Sequence, residues 1–134
     1  MRVFIVDDAK AFVHRLASSL AEVPGIEVIG SAGNVADAML KIHEAKPDVV
    51  ILDICIPGGS GIDVLEGLKQ ESFQPMVIVL SNHTDRQYQR KCRQSGARFY
   101  FDKSTEFHKV VAVLHALTEA AVAGERAGLS GLAQ

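Results

Sequence analysis

Five short apolar runs divide the chain: Val3 to Val6, Ile26 to Gly30, Val49 to Leu52, Met76 to Leu80 and Arg98 to Phe101. Four are rich in Val and Ile without strict polar alternation, the pattern of strands covered on both faces of a parallel sheet. The fifth is weaker and reads as an edge. Between them apolar residues return every three or four positions, as on a helix with one buried face. Phe12, Leu16, Leu20 and Val23 mark the first such face, Ala36, Met39, Leu40 and His43 the second, and Ile62, Leu65 and Leu68 the third. Phe107, Val110, Val111, Leu114 and Leu117 mark the fifth. In the fourth segment, Thr84 to Ser95, only Tyr88 and Cys92 form a stripe, while Arg86, Arg90, Lys91 and Arg93 crowd the rest. That surface is either a solvated face or a docking face for an acidic partner.

The punctuation agrees with these boundaries. Asn34, Ser60 and Thr84 stand at N-cap positions, the last two followed three residues on by Asp63 and Gln87, and Gly96 can end the fourth helix. Pro47 and Pro75 precede strands, where no helix continues. Regular strand–helix alternation predicts an α/β fold with a parallel sheet, right-handed crossovers and helices on both faces. The spacing fades after Leu117, so residues 1–122 are expected to form the domain and residues 123–134 a flexible tail.

Composition narrows the class. With 134 residues, 48% hydrophobic and 22% charged, the chain has enough apolar material for one core, and its net charge of −2 argues against a nucleic-acid coat. Cys55 and Cys92 lie far apart and outside any Cys-x-x-Cys arrangement, which points to a reducing compartment, the cytoplasm by default. The apolar run at the N-terminus is too short for a signal-peptide core, and no stretch is long enough to span a membrane.

In open α/β sheets chemistry gathers beyond the carboxyl ends of the strands. Here those ends carry Asp7 and Asp8, Asp53, Ser81 and Lys103. Three crowded carboxylates repel one another, and a hard divalent cation, Mg²⁺, relieves this with oxygen ligands alone. A carboxylate in such a setting can attack a phosphoryl group to give an acyl phosphate, with Lys103 and Ser81 against its oxygens. Singly each residue has a plainer reading: Asp8 as a helix cap, Ser81 as a turn residue, Lys103 as a surface charge. Their convergence on one rim favours the chemical one. His14, His43, His108 and His115 fall in no metal spacing and are read as helix residues.

The order Val6-Asp7-Asp8, Asp53 with Pro57-Gly58 and Gly61, Val79-Leu80-Ser81, Gly96-Ala97 and Lys103 resembles the receiver domains of two-component response regulators, including single-domain chemotaxis-type regulators. The resemblance runs from residue 3 to about 118. It implies a flavodoxin-like (βα)5 three-layer sandwich with strand order 2-1-3-4-5, and phosphoryl transfer to Asp53 from a sensor histidine kinase or phosphotransfer protein. It further implies Mg²⁺ held by Asp8, Asp53 and the backbone carbonyl of Cys55, with Asp7 acting through a water. Ser81 would follow the phosphoryl group and Tyr100 would act as the switch aromatic, against the plainer reading of a half-exposed edge-strand tyrosine. Asn82, His83 and Cys55 fall at rate-tuning positions, Asn82 where a small residue is usual and His83 as a candidate base for water. Ser104 stands where the family commonly has a proline in a cis bond, implying a looser loop or an N-cap at Ser104.

The expected output is a change in the surface of the fourth helix, fifth strand and fifth helix that recruits a protein target. Direct contact with nucleic acid or membrane is not expected, and the state would be monomeric or a phosphorylation-dependent dimer. Self-phosphorylation and slow self-dephosphorylation, without turnover of a metabolite, lean away from an enzyme. Alternatives are the receiver portion of a DNA-binding transcription regulator and a phosphorylation-impaired adaptor. A small phosphohydrolase is disfavoured because Asp7-Asp8 lacks the Asp-x-Asp spacing after the first strand.

Overall fold

The computed structural model describes residues 1–83 and 85–132. Ten elements alternate along the chain: β1 (Arg2–Val6), α1 (Lys10–Ala21), β2 (Glu27–Ala32), α2 (Val35–Ala45), β3 (Val49–Leu52), α3 (Gly61–Leu68), β4 (Met76–Ser81), α4 (Arg86–Gln94), β5 (Ala97–Asp102) and α5 (Phe107–Leu132). The strands form one parallel sheet in the order β2-β1-β3-β4-β5. Chain order reverses direction beside β1, so the ends of β1 and β3 open onto a shared crevice.

The period-two geometry of strands splits the core in two. Phe4, Val6, Val50, Leu52, Val77 and Val79 face one side, against Ala38 and Ile42 of α2, Leu65 and Leu68 of α3 and Cys92 of α4. Val3, Ile5, Val49, Ile51, Ile78 and Leu80 face the other, against Leu16 and Leu20 of α1 and Val110 and Leu114 of α5. Burial of both faces explains why the central strands read as continuous apolar runs.

Two caps are as expected. Asn34 accepts the Asp37 amide, and Ser60 forms a reciprocal capping box with Asp63. Gly96, at φ +111°, ends α4 in a conformation that L side chains adopt rarely. Three expectations are revised. The buried stripe of α2 is Ala38 and Ile42 flanked by Val35 and Met39, whereas Ala36, Leu40 and His43 are exposed. The cap of α4 is Asp85, which accepts the Gln87 amide; Thr84 lies outside the described residues. Finally, α5 continues to Leu132, well past the point where hydrophobic spacing fades. Its Ala-rich continuation has high helix propensity even where burial no longer directs it. Residues 133–134 of the expected tail lie outside the described residues. No helix among the described residues is long and apolar enough to cross a membrane.

Candidate functional site

Backbone pairing aligns the strand ends before any side chain is considered. The Asp7 amide donates to the Ala32 carbonyl and the Asp53 amide to the Val6 carbonyl, while the Lys103 amide donates to the Ser81 carbonyl. The sheet thereby delivers Asp7 and Asp8 from β1, Asp53 from β3, Ser81 from β4 and Lys103 from β5 to one edge.

The three aspartates each contribute a carboxylate oxygen, and these lie within 4.8 Å of one another. Asp7 and Asp53 are buried and Asp8 is exposed. Lys103 reaches between the buried pair, with Nζ 2.6 Å from Asp7 Oδ2 and 3.2 Å from Asp53 Oδ2. The remaining oxygens are also engaged: Asp7 Oδ1 accepts the Ala9 amide and Asp53 Oδ1 the Cys55 amide. Burial raises the Asp7 carboxyl above its ordinary value despite the lowering effects of Lys103 and the Ala9 amide. Burial works against the Lys103 charge, but the bond to Asp7 and the charges of both aspartates outweigh it, so its pKa is raised. The ammonium therefore stays charged where it is needed to offset two carboxylates.

Asp8 caps nothing. The N-cap of α1 is Ala9, which has no side-chain cap bond, so the exposed Asp8 carboxylate is left facing the crevice region with the other two acids. An all-carboxylate donor set of this compactness fits a hard divalent cation such as Mg²⁺ and lacks the nitrogen or sulfur ligands that zinc favours.

Ser81 is buried, and its Oγ accepts the His83 amide at 3.2 Å. A hydroxyl that accepts with a lone pair retains its proton for donation elsewhere. Tyr100 is buried and not half-exposed, its hydroxyl donating to the His83 carbonyl. Burial pushes its phenol up to about 12. The His83 ring meets Tyr88 of α4 edge-on, with centroids 4.3 Å apart. Asn82 is exposed and accepts from Ser104 Oγ at 3.2 Å. Cys55 is exposed and Cys92 buried, the latter with its thiol pushed up to about 11 by burial.

The loop after β5 is organised by acids and not by a cap at Ser104. Asp102 Oδ1 accepts the amides of Ser104 and Thr105 and the Ser104 hydroxyl, while Glu106 Oε1 accepts the Asp102 amide. No cis peptide bond occurs among the described residues.

Two residues support the site in ways the sequence does not announce. The Phe12 ring lies 4.2 Å from Lys103 Nζ, giving the ammonium an aromatic face, and Phe12 in turn meets Phe107 edge-on. Helical spacing placed Phe12 on a buried stripe, which carries no hint of a lysine from the far edge of the sheet. Gly61 is the second: a Cβ there would stand 2.7 Å from the Asp53 carbonyl oxygen and 2.8 Å from Ile54 Cα. The Gly61 amide donates to the Ile54 carbonyl at 2.8 Å, so the start of α3 packs directly on the chain carrying Asp53.

With this geometry established, comparison with known proteins is decisive: residues 3–115 match the family model of the response regulator receiver domain. The chain belongs to that family. Accepting a phosphoryl group is the general function of receiver domains. This receiver domain is 28% identical over 116 residues to the DNA-binding transcriptional activator EvgA of Escherichia coli K12, a match covering 87% of this chain and 56% of that protein. The chain thus spans about half the length of the curated relatives it matches. Among solved structures it resembles the response regulator domain of Thermotoga maritima CheB, with a TM-score of 0.78, 27% identity and coverage of 90% of this chain and 95% of that one. It likewise resembles a chain of the CheX-CheY-BeF3-Mg complex of Borrelia burgdorferi, with a TM-score of 0.76, 27% identity and coverage of 88% and 89%. The strand order 2-1-3-4-5 is that of the flavodoxin-like fold these domains share.

Proposed function

We propose that Asp53 is the phosphoacceptor of this receiver domain and takes its phosphoryl group from a phosphohistidine of a sensor kinase or phosphotransfer protein. The observation that carries this reading is Lys103 Nζ bridging two buried carboxylates, Asp7 and Asp53, within a cluster of three. Asp53 sits at the end of central strand β3, flanked by the other two acids, the place where an incoming phosphoryl group meets both the nucleophile and the charges that steady it.

In the proposed step an Asp53 carboxylate oxygen attacks phosphorus, the donor N–P bond breaks, and its electron pair returns to the imidazole nitrogen. Lys103 offsets negative charge on the transferred group, and the Ser81 hydroxyl donates its free proton to a phosphoryl oxygen. Asp8, Asp53 and the Cys55 carbonyl would hold Mg²⁺, with Asp7 acting through a water. When bound, that ion neutralises and orients the phosphoryl oxygens. The acyl phosphate adds roughly −1.5 to −2 charges, so the state that brings Ser81 and Lys103 against it gains charge-assisted hydrogen bonds.

Tyr100 and the β4–α4 loop carry this change outward, since Ser81 Oγ and the Tyr100 hydroxyl both bind the His83 backbone. The output is a changed α4-β5-α5 surface for a protein target, in a cytoplasmic protein that contacts neither membrane nor nucleic acid through this domain. Residues 1–122 make the switch, and α5 continues beyond them to Leu132. Because the chain spans 56% of a DNA-binding activator, the receiver portion of a transcription regulator is the second reading.

Intact mass after incubation with Mg²⁺ and acetyl phosphate tests the proposal. One phosphoryl adduct is expected, absent in Asp53→Asn and in chelator. A folded protein that gains no adduct would instead be a phosphorylation-impaired adaptor, with Asn82→Ala the first variant to try for recovery.

A further inference from the structure

The ammonium of Lys103 is bounded on three sides. Nζ lies 2.6 Å from Asp7 Oδ2, 3.2 Å from Asp53 Oδ2 and 4.2 Å from the centroid of the Phe12 ring. An ammonium has three N–H donors and no acceptor, so the two carboxylates take two of them and the ring face stands against the third. Only 12% of the Lys103 side chain is exposed, which leaves little room for water at the charge. Phe12 is itself held from several directions. It lies in the first turn of α1, partly buried against the core shared by α1 and α5, and its ring meets Phe107, the first residue of α5, edge-on with centroids 5.7 Å apart. The Arg15 guanidinium, one turn further along α1, covers the Phe107 ring at 4.7 Å. Cation, ring, ring and cation therefore follow one another from Lys103 to Arg15 and tie the first turns of α1 and α5 to the loop after β5. A ring fixed in this way restrains an ammonium that its flexible four-carbon stem does not.

We propose that Phe12 is a positioning residue for phosphoryl transfer, its ring holding the Lys103 ammonium beside Asp53 while the hydrogen bond passes from the carboxylate to a phosphoryl oxygen. The proposal rests on Asp53 being the acceptor. As the O–P bond to Asp53 forms, the donor's bond to phosphorus breaks and its electron pair leaves with the donor. The attacking oxygen becomes the bridge of an acyl phosphate and gives up its charge, so Lys103 must exchange a carboxylate oxygen for a phosphoryl oxygen. Asp7, the nearer of the two acids, pulls the ammonium away from that exchange. The ring face opposes this pull without demanding one direction of approach and without adding a negative charge that would repel the incoming group. An aliphatic side chain would fill the same space and leave the third N–H without a partner.

The test follows phosphoryl uptake from acetyl phosphate and Mg²⁺ by intact mass in wild type, Phe12→Leu and Phe12→Tyr, each verified as folded by circular dichroism. Phe12→Leu keeps an apolar side chain and removes the π face; it is expected to slow uptake by about tenfold, within the range of a desolvated cation–π contact. Phe12→Tyr keeps the face and is expected to stay within about twofold of wild type. Mg²⁺ affinity measured without donor should stay within about twofold in both variants, because Phe12 acts through Lys103 and not through the carboxylates that would hold the ion. A loss of rate matched by a loss of Mg²⁺ affinity would mean that the first turn of α1 has merely loosened, and would overturn the proposal. Equal rates in Phe12→Leu and wild type, or a Phe12→Tyr as slow as Phe12→Leu, would overturn it too. The contact also has a readout that needs no phosphorylation. A ring face over Lys103 moves its ε-methylene proton signals upfield in NMR, a shift expected in wild type and Phe12→Tyr and absent in Phe12→Leu, with the signals assigned by their loss in Lys103→Met. A wild type without the shift overturns the contact and the proposal with it. A wild type that shows the shift yet takes no phosphoryl group overturns the acceptor assignment and the role in transfer, while the contact stands.

Discussion

Replacing Lys103 with Met removes the cation from between Asp7 and Asp53 while keeping a stem of similar length to pack on Phe12. The two carboxylates contribute oxygens within 4.8 Å of each other, which at an effective dielectric of about 20 is a repulsion of at least roughly 3.5 kcal/mol. Breaking a buried ion pair by deleting one partner commonly costs about 3–5 kcal/mol. Asp7 limits the loss, because burial already raises its pKa and removing Lys103 takes away the largest lowering influence. A carboxyl whose folded pKa is raised binds its proton more readily in the folded state. Its penalty is therefore full above the folded value and is relieved as pH falls through it. The expected destabilisation at pH 7.5 in chelator is about 3 kcal/mol, shrinking at an acidic pH as the raised Asp7 carboxyl takes up its proton. Guanidinium unfolding followed by circular dichroism measures this, since the chain has no Trp. Millimolar Mg²⁺ should recover more stability in the variant than in wild type. A cost under about 1 kcal/mol that is the same at both pH values would refute the electrostatic reasoning.

Other consequences follow from single contacts. Gly61→Ala forces a methyl group against the Asp53 carbonyl and Ile54 Cα, and should cost about 1–3 kcal/mol in unfolding experiments while slowing phosphoryl uptake, whereas Gly124→Ala, with nothing near its Cβ, should do neither. Leu40→Gln should change stability by less than about 0.5 kcal/mol and Ile42→Ala should lower it by about 2–5 kcal/mol, a contrast read from denaturant midpoints that fixes which face of α2 is buried. Iodoacetamide at pH 8 should label Cys55 and spare Cys92 in the folded protein, with peptide mapping as the readout. Because burial raises the Cys92 thiol from 9.0 to about 11, its contribution to stability is present below pH 9 and is lost as pH rises toward 11, and Cys92→Ala should flatten that part of the stability profile.

The legibility of this fold followed burial. Strands β1, β3 and β4 are buried on both faces, so their apolar runs were unambiguous, and the acids and hydroxyl at their ends could be placed from spacing alone. The helix α2 was assigned the stripe Ala36, Met39, Leu40 and His43, two positions out of phase with the buried Ala38 and Ile42, and only packing against the sheet and α3 separates them. Lys103 was legible as a strand-end cation, but Phe12 beneath it was not, because their contact joins α1 to the loop after β5 across more than ninety positions of sequence. Tyr100 read as the switch aromatic that the resemblance implies, against the plainer reading of a half-exposed edge-strand tyrosine. Its bond to the His83 carbonyl arises where β5 meets the β4–α4 loop, and no local pattern encodes that meeting. The extension of α5 was missed for the opposite reason: it has helix-forming residues and no hydrophobic period.

The central claim is that Asp53, and neither of its acidic neighbours, receives the phosphoryl group. Borohydride reduces an acyl phosphate to an alcohol, so an aspartyl phosphate is converted to homoserine in place. Treating the protein with Mg²⁺ and phosphodonor, trapping with borohydride and sequencing the peptides by mass spectrometry should place homoserine at position 53 alone. Homoserine at position 7 or 8, or a phosphoryl adduct that leaves position 53 unreduced, would contradict it.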